Sequence, residues 1–282
     1  MKTIRTLSAF VLALTVTGAS ESFAADSYIS TQSHNGAVSA LVPMETAMLP
    51  DMAFFSAGSD GFLVKWNPDG SGEHYQVSDL PISAIAKNPT NADIALYESN
   101  NIALNRITVM DWTRYRKRYS KRFKNAVTCL SYSEQGSYLI VGTATVNGIY
   151  ILNGQNGSLY KTVKGVPGII TMAKTGPTEK TAVMYSPAGF LYYYDFQKGK
   201  VIARFQTEAS LEQALLFGTG KFQNRFFAGV KGNAIYIIDA VSGKTLTSYA
   251  AASPFICASP GESEDGLYFI NAKGRDYALN LI

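Results

Sequence analysis

Hydrophobic positions along this chain recur in short alternating runs, and helical stripes are scarce. Apolar and aromatic residues alternate with polar ones, and each run ends at a cluster of Gly, Asn, Asp or Ser. A period of two bounded by turn residues is the pattern of half-buried β-strands. Residues 126–163 show it well. The runs "AVTCLSY", "YLIVGT", "GIYILN" and "SLYKTV" are separated by "SEQG", "ATVN" and "GQNG". Glycine and asparagine there supply the positive φ that tight hairpin turns need. The pattern predicts four antiparallel strands in succession.

That unit repeats. An Asp or Asn at the end of the third strand falls at Asn67, Asp111, Asn153, Asp195, Asp239 and Asn280, at intervals of 44, 42, 42, 44 and 41. A second marker, a small residue in the first run, falls at Ala40, Ala84, Cys129, Thr171, Ala214 and Cys257, at intervals of 44, 45, 42, 43 and 43. Two unrelated features with one period establish a repeat of four strands, the signature of a propeller blade. The expected fold is all-β: a six-bladed β-propeller of four-stranded antiparallel blades. The sixth unit stops after its third strand, "DYALNLI", so residues 27–33 ("SYISTQS") are expected to supply the outer strand of the last blade. Such closure removes open sheet edges.

The stretches "FFSAGSDGFLVKWN" and "CLSYSEQGSYLIVGT" resemble WD40 repeats. The resemblance implies a hydrogen-bonded set that ties a blade together, which maps in the first unit onto His34, Ser56, Asp60 and Trp66. The other units lack the His, and "WD" is replaced by "LN", "YD" or "ID". The stretch "IYIIDAVSGKTLTSY" also resembles the repeat of quinoprotein-like propellers, including the bacterial outer-membrane assembly propeller. That is the rival family.

The N-terminus changes the setting. Lys2 and Arg5 precede an apolar run from Leu7 to Val16, and Ser22-Phe23-Ala24 has the small-x-small form of a signal-peptidase site. The run is too short to span a bilayer. Residues 1–24 are therefore expected to be a removed signal peptide and 25–282 a single propeller domain, periplasmic or secreted in a bacterium.

Charge narrows the partner. The chain has a net charge of +4. Seven basic residues lie between positions 114 and 124: Arg114, Arg116, Lys117, Arg118, Lys121, Arg122 and Lys124. Without them the remainder is net negative, so the basic character belongs to one segment and not to a general nucleic-acid binder. Alignment on Asp111 puts the segment on the outer rim of blade two. The other complete blades use glycine in this connection. Along an extended chain, Arg114, Arg116, Arg118, Arg122 and Lys124 would share one side, and Tyr115, Tyr119 and Phe123 the other. One reading is an edge strand whose charges block edge-to-edge pairing. The other is a surface for an acidic or envelope-associated protein, an anionic polymer or lipid headgroups. No nucleic acid is expected.

Candidate chemistry is sparse. Cys129 and Cys257 occupy equivalent inner-strand places three blades apart, too far for the roughly 7 Å limit of a disulfide. His74 falls on a polar turn, and Glu262 and Glu264 form a solvated pair in another. Metal spacing, a phosphate loop and a nucleophile–base arrangement do not stand out. The expectation is a monomeric, non-enzymatic interaction scaffold with no cofactor, no metal and no catalytic residues. An envelope-assembly scaffold and, further off, a lactonase- or hydrolase-type propeller are the alternatives.

Overall fold

The alternating runs form antiparallel strands. The computed structural model describes residues 27–29, 34–43, 54–67, 71–217, 226–240, 242–250, 255–260, 267–273 and 276–281. The segment read as a signal peptide and the Glu262–Glu264 pair lie outside the described residues.

After β1 (Ser27–Ile29), five blades, against the six expected, are each a continuous stretch of chain. Blade one is β2 (Val38–Pro43), β3 (Phe54–Gly58), β4 (Phe62–Trp66) and β5 (Gly72–Gln76). Blade two is β6 (Ile82–Lys87), β7 (Asp93–Ser99), β8 (Asn105–Asp111) and β9 (Arg116–Phe123). Blade three is β10 (Val127–Tyr132), β11 (Tyr138–Thr143), β12 (Ile149–Asn153) and β13 (Leu159–Thr162). Blade four is β14 (Met172–Thr175), β15 (Thr181–Ser186), β16 (Phe190–Asp195) and β17 (Lys200–Gln206). Blade five is β18 (Gln213–Phe217), β19 (Phe226–Lys231), β20 (Ala234–Asp239) and β21 (Thr245–Ala250). A further sheet is composite. β22 (Phe255–Pro260), β23 (Leu267–Lys273) and β24 (Asp276–Leu281) are joined by β1, in the order β1-β24-β23-β22. The outer position of β1, paired from Ser27↔Leu279 to Ile29↔Tyr277, is the one expected for the N-terminal run.

The core is not one cluster but a series of layers between neighbouring blades. Phe55, Ala57 and Leu63 of blade one pack on Ile82, Ile94 and Leu96 of blade two. Ala95, Ile107 and Val109 meet Leu139, Val141 and Leu152 of blade three. Both faces of a middle strand are therefore covered, and all seven residues of β7 are buried. Outer strands alternate, since only part of their surface meets a neighbour.

Both repeat markers have a physical cause. The Asp or Asn caps the turn between the third and fourth strands. Asn153 Oδ1 accepts from the backbone N–H of Gln155 (2.9 Å), Asp195 Oδ1 from Lys198 N–H (2.9 Å) and Asp239 Oδ1 from Ser242 N–H (2.6 Å). These are Asx turns, which short carboxylate and carboxamide side chains favour. The small residue sits beside a β-bulge in the innermost strand, at Val38/Ala40, Ile82/Ala84, Val127/Cys129 and Phe255/Cys257. At two of these bulges the extra residue clasps the next blade: Ser39 Oγ donates to Ile82 O, and Thr128 Oγ1 to Ile170 O.

Candidate functional site

The basic segment is the turn and outer strand of blade two, as its alignment implied. Asp111 Oδ1 caps the turn, accepting from the Thr113 hydroxyl (2.7 Å) and from the N–H groups of Thr113 (3.1 Å) and Arg114 (3.3 Å). These hydrogen bonds, the Thr113 hydroxyl first, hold its carboxyl below the usual aspartate range. Four residues after the marker, blades three, four and five have Gly157, Gly199 and Gly243 at φ of 71, 65 and 73°. Blade two has Tyr115 there, at φ 48°. The left-handed region costs an L-residue roughly 1–2 kcal/mol. The Tyr115 ring offsets this by stacking on Tyr75 of blade one, with centroids 3.4 Å and planes 22° apart, against the core layer between the two blades.

The expected facing of the basic residues is corrected by a bulge. In β9, Lys117 pairs with Met110 and Tyr119 with Val109, so Arg118 is the extra residue and alternation restarts after it. Tyr119, Lys121 and Phe123 then share the side facing blade three, and Lys117, Ser120 and Arg122 the side facing blade one. Tyr119 Oη donates to Gly154 O (3.2 Å), and the Phe123 ring lies 5.8 Å from that of Tyr150.

Two of the seven cations are occupied by the fold. The Arg118 guanidinium contacts Asp93 Oδ1 at 3.2 Å and Asp111 Oδ2 at 3.0 Å, both carboxylates being almost buried. Lys121 Nζ donates to Gly157 O in the turn of blade three (3.1 Å). Lys161 of blade three does the same to Phe196 O of blade four (2.7 Å). A lysine clasp between successive outer rims is thus a recurring device of the repeat. The other five, Arg114, Arg116, Lys117, Arg122 and Lys124, are exposed and form no ion pair among the described residues. Beside them, a cleft of about 350 Å³ opens between blades one and two, lined by Tyr75, Val77, Thr108, Met110, Tyr115 and Lys117.

The four residues of the blade-one set come together. His34 is fully buried, with Nδ1 3.1 Å from Asp60 Oδ1 and Nε2 2.9 Å from Ser56 Oγ. Trp66 Nε1 donates to Ser56 Oγ at 3.0 Å. Burial alone would raise the Asp60 pKa. Hydrogen bonds from His34 and from the N–H groups of Phe62 and Asn35 outweigh it and hold the carboxyl low. The set ties the loop at residue 34 to two strands of its blade.

A further polar group escaped the sequence reading. Glu98 is 1% exposed, its carboxylate bridged by Arg106 Nε (2.8 Å) and Nη2 (2.9 Å) and by the Thr108 hydroxyl. Its burial opposes ionisation, but Arg106, Ser78 and Thr108 prevail and depress the pKa. The hairpin turn at Asn100-Asn101 placed Glu98 directly opposite Arg106. An acid isolated in an apolar run, with a cation at the mirrored position, was the available signal.

Of the remaining candidates, His74 lies in strand β5, where a polar turn was expected, and its exposed ring is 6.4 Å from that of Trp66. Cys129 is a free thiol, fully buried, and burial pushes its pKa up to about 12. The side chain of Cys257 is outside the described residues. Among the described residues no group of three or more His, Cys, Asp or Glu side chains could hold a metal ion.

Comparison with known proteins places this geometry in a family. A protein of Treponema pallidum (strain Nichols), described as uncharacterized, is 33% identical over 204 residues, covering 72% of this chain and 33% of that protein. The chain thus spans about a third of the length of that curated relative. The profile of the TP_0598_N family, described as an N-terminal beta-propeller domain, matches residues 16–267, and the chain belongs to this family of β-propeller domains.

Proposed function

We propose that this protein is an exported, non-enzymatic propeller that recognises an acidic protein partner through the rim of blade two. The supporting observation is the group of five exposed cations that form no ion pair among the described residues, Arg114, Arg116, Lys117, Arg122 and Lys124, on one outer strand and its flanks. One or two charges suffice to keep an edge strand from pairing with its like. Five unneutralised charges, on a molecule otherwise net negative, make a local positive field that steers and selects an anionic partner. The export reading rests on Lys2, Arg5, the apolar run from Leu7 to Val16 and the Ser22-Phe23-Ala24 site.

The same proposal takes the composite sheet as a sixth blade. Innermost strands follow one another in space from β2 through β6, β10, β14 and β18 to β22, and β22 lies against β2. The His34–Ser56–Asp60–Trp66 set supports a WD40-like blade one.

The test is retention of envelope proteins by the mature chain beside a variant with Arg114, Arg116, Lys117 and Arg122 as Ser, at low and moderate salt. A partner held by the native chain, lost by the variant and weakened by salt is expected. Identical sets retained by both would overturn the reading.

A further inference from the structure

The basic rim is also an open sheet edge. β9 is the last strand in the order β6-β7-β8-β9, and among the described residues no strand pairs with its outer side. It is eight residues long, against five in β5, four in β13, seven in β17 and six in β21. In an antiparallel pair alternate residues direct N–H and C=O toward the neighbour, so the intervening residues of β9 direct theirs outward. An extended segment laid along that edge would satisfy them.

The side chains of β9 state what such a segment must look like. On the side facing blade one stand Lys117, Ser120 and Arg122, exposed and unneutralised. On the side facing blade three stand the half-buried Tyr119 and Phe123, with the Lys121 ammonium drawn away to Gly157 O. A strand added at this edge places alternate side chains beside one row and then the other. Acidic residues match the first row, and apolar residues match the aromatic row. A second copy of β9 would instead set cation against cation, so the same charges that admit an acidic strand reject self-pairing.

We infer that β9 takes up an extended partner segment of alternating acidic and apolar residues as a fifth strand of blade two. The inference rests on the proposed anionic partner and adds how that partner is held. Backbone pairing supplies affinity, and the two rows of β9 supply register and selectivity.

The experiment uses the full mature chain and a fluorescent peptide, Glu-Val-Glu-Val-Glu-Val-Glu, with binding read by anisotropy. A peptide of the same composition in block order, Glu-Glu-Glu-Glu-Val-Val-Val, keeps the charge and removes the alternation. A third peptide, N-methylated at every residue, keeps charge and alternation but removes the N–H groups that would face β9. Each lost backbone hydrogen bond weakens binding severalfold, so N-methylation should weaken it about tenfold or more. Backbone amides of β9 should gain hydrogen-exchange protection only with the alternating peptide. The variant with Arg114, Arg116, Lys117 and Arg122 as Ser should lose binding while keeping its thermal midpoint. If all three peptides bind alike and salt releases them alike, strand addition is overturned while an electrostatic rim survives. If none binds and the serine variant behaves as the native chain does, both readings fail together. Light scattering should find no concentration-dependent dimer; a dimer abolished by the serine substitutions would make β9 a self-interface and overturn the inference.

Discussion

At the scale of single residues, the buried polar chain of blade one joins four side chains through three hydrogen bonds. The Asp60 carboxylate accepts only, so His34 Nδ1 donates to it, while Nε2 pairs with the Ser56 hydroxyl. Ser56 Oγ is left to accept from Trp66 Nε1–H, as the 3.0 Å contact allows. Both ring nitrogens of His34, the Ser56 hydroxyl and the Asp60 carboxylate all have partners, which is how a buried polar network stabilises a fold. Because Asp60 is more acidic when folded, the stability it contributes is present above the ordinary aspartate value of 3.8 and is lost as pH falls through its folded value. Asp60→Asn should therefore lower stability at neutral pH by about 1–3 kcal/mol. It should also flatten the decline below 3.8, the ordinary value. Denaturant unfolding of both chains across that window checks this. Parallel curves for variant and native chain would show that the carboxylate is not the source.

At the scale of elements, blade two shows why seven similar residues do not have one role. The repeat made the position of the basic segment legible, since Asp111 fixes where the turn and outer strand begin. The distribution of roles was not legible. Nothing in a run of cations marks a bulge, because register is ordinarily read from the alternation of apolar with polar residues, and here Tyr119 and Phe123 are the only guides. Arg118 is singled out by Asp93, 25 residues away on a strand that the local sequence does not show beside it. Lys121 is singled out by a carbonyl of the next blade. Glycine at the turn was equally a guide that failed, since Tyr115 adopts the glycine conformation and is held there by Tyr75. The structure separates these residues by a simple comparison. Arg118→Met leaves two almost buried carboxylates without their cation. Its half-exposed guanidinium is partly screened, so the loss should be about 1–2 kcal/mol, a thermal shift of several degrees for a domain of this size. Arg122→Met, on the same strand, should leave the midpoint unchanged and weaken only acidic-peptide binding. Equal thermal shifts for both would mean that the rim is a structural charge network throughout.

At the scale of the whole molecule, the proposed sixth blade raises the question of what would hold such a ring shut. Successive blades bury apolar faces against each other, so opening a closed ring at any joint would expose a core layer on both sides, and the penalty would fall on the weakest joint. Five blades each draw their four strands from one continuous stretch of chain, and their integrity is local. The composite sheet is different, since β1 and β24 come from opposite ends of the chain and pair from Ser27 to Ile29. Both markers of the repeat run on to Cys257 in β22 and Asn280 in β24, so the strands of this sheet were legible in the sequence. Deleting residues 27–33 should therefore do more than trim an edge. It should expose the outer side of β24 to solvent and to other copies, lower the thermal midpoint by several degrees, and produce concentration-dependent association visible by light scattering. A synthetic peptide of residues 27–33 added to the truncated chain should reverse both effects by reoccupying the vacant edge. Restoration by that peptide, and not by one of scrambled order, would identify strand pairing as the clasp. A truncated chain that stays monomeric with an unchanged midpoint would mean that the contact of β22 with β2 closes the molecule without β1.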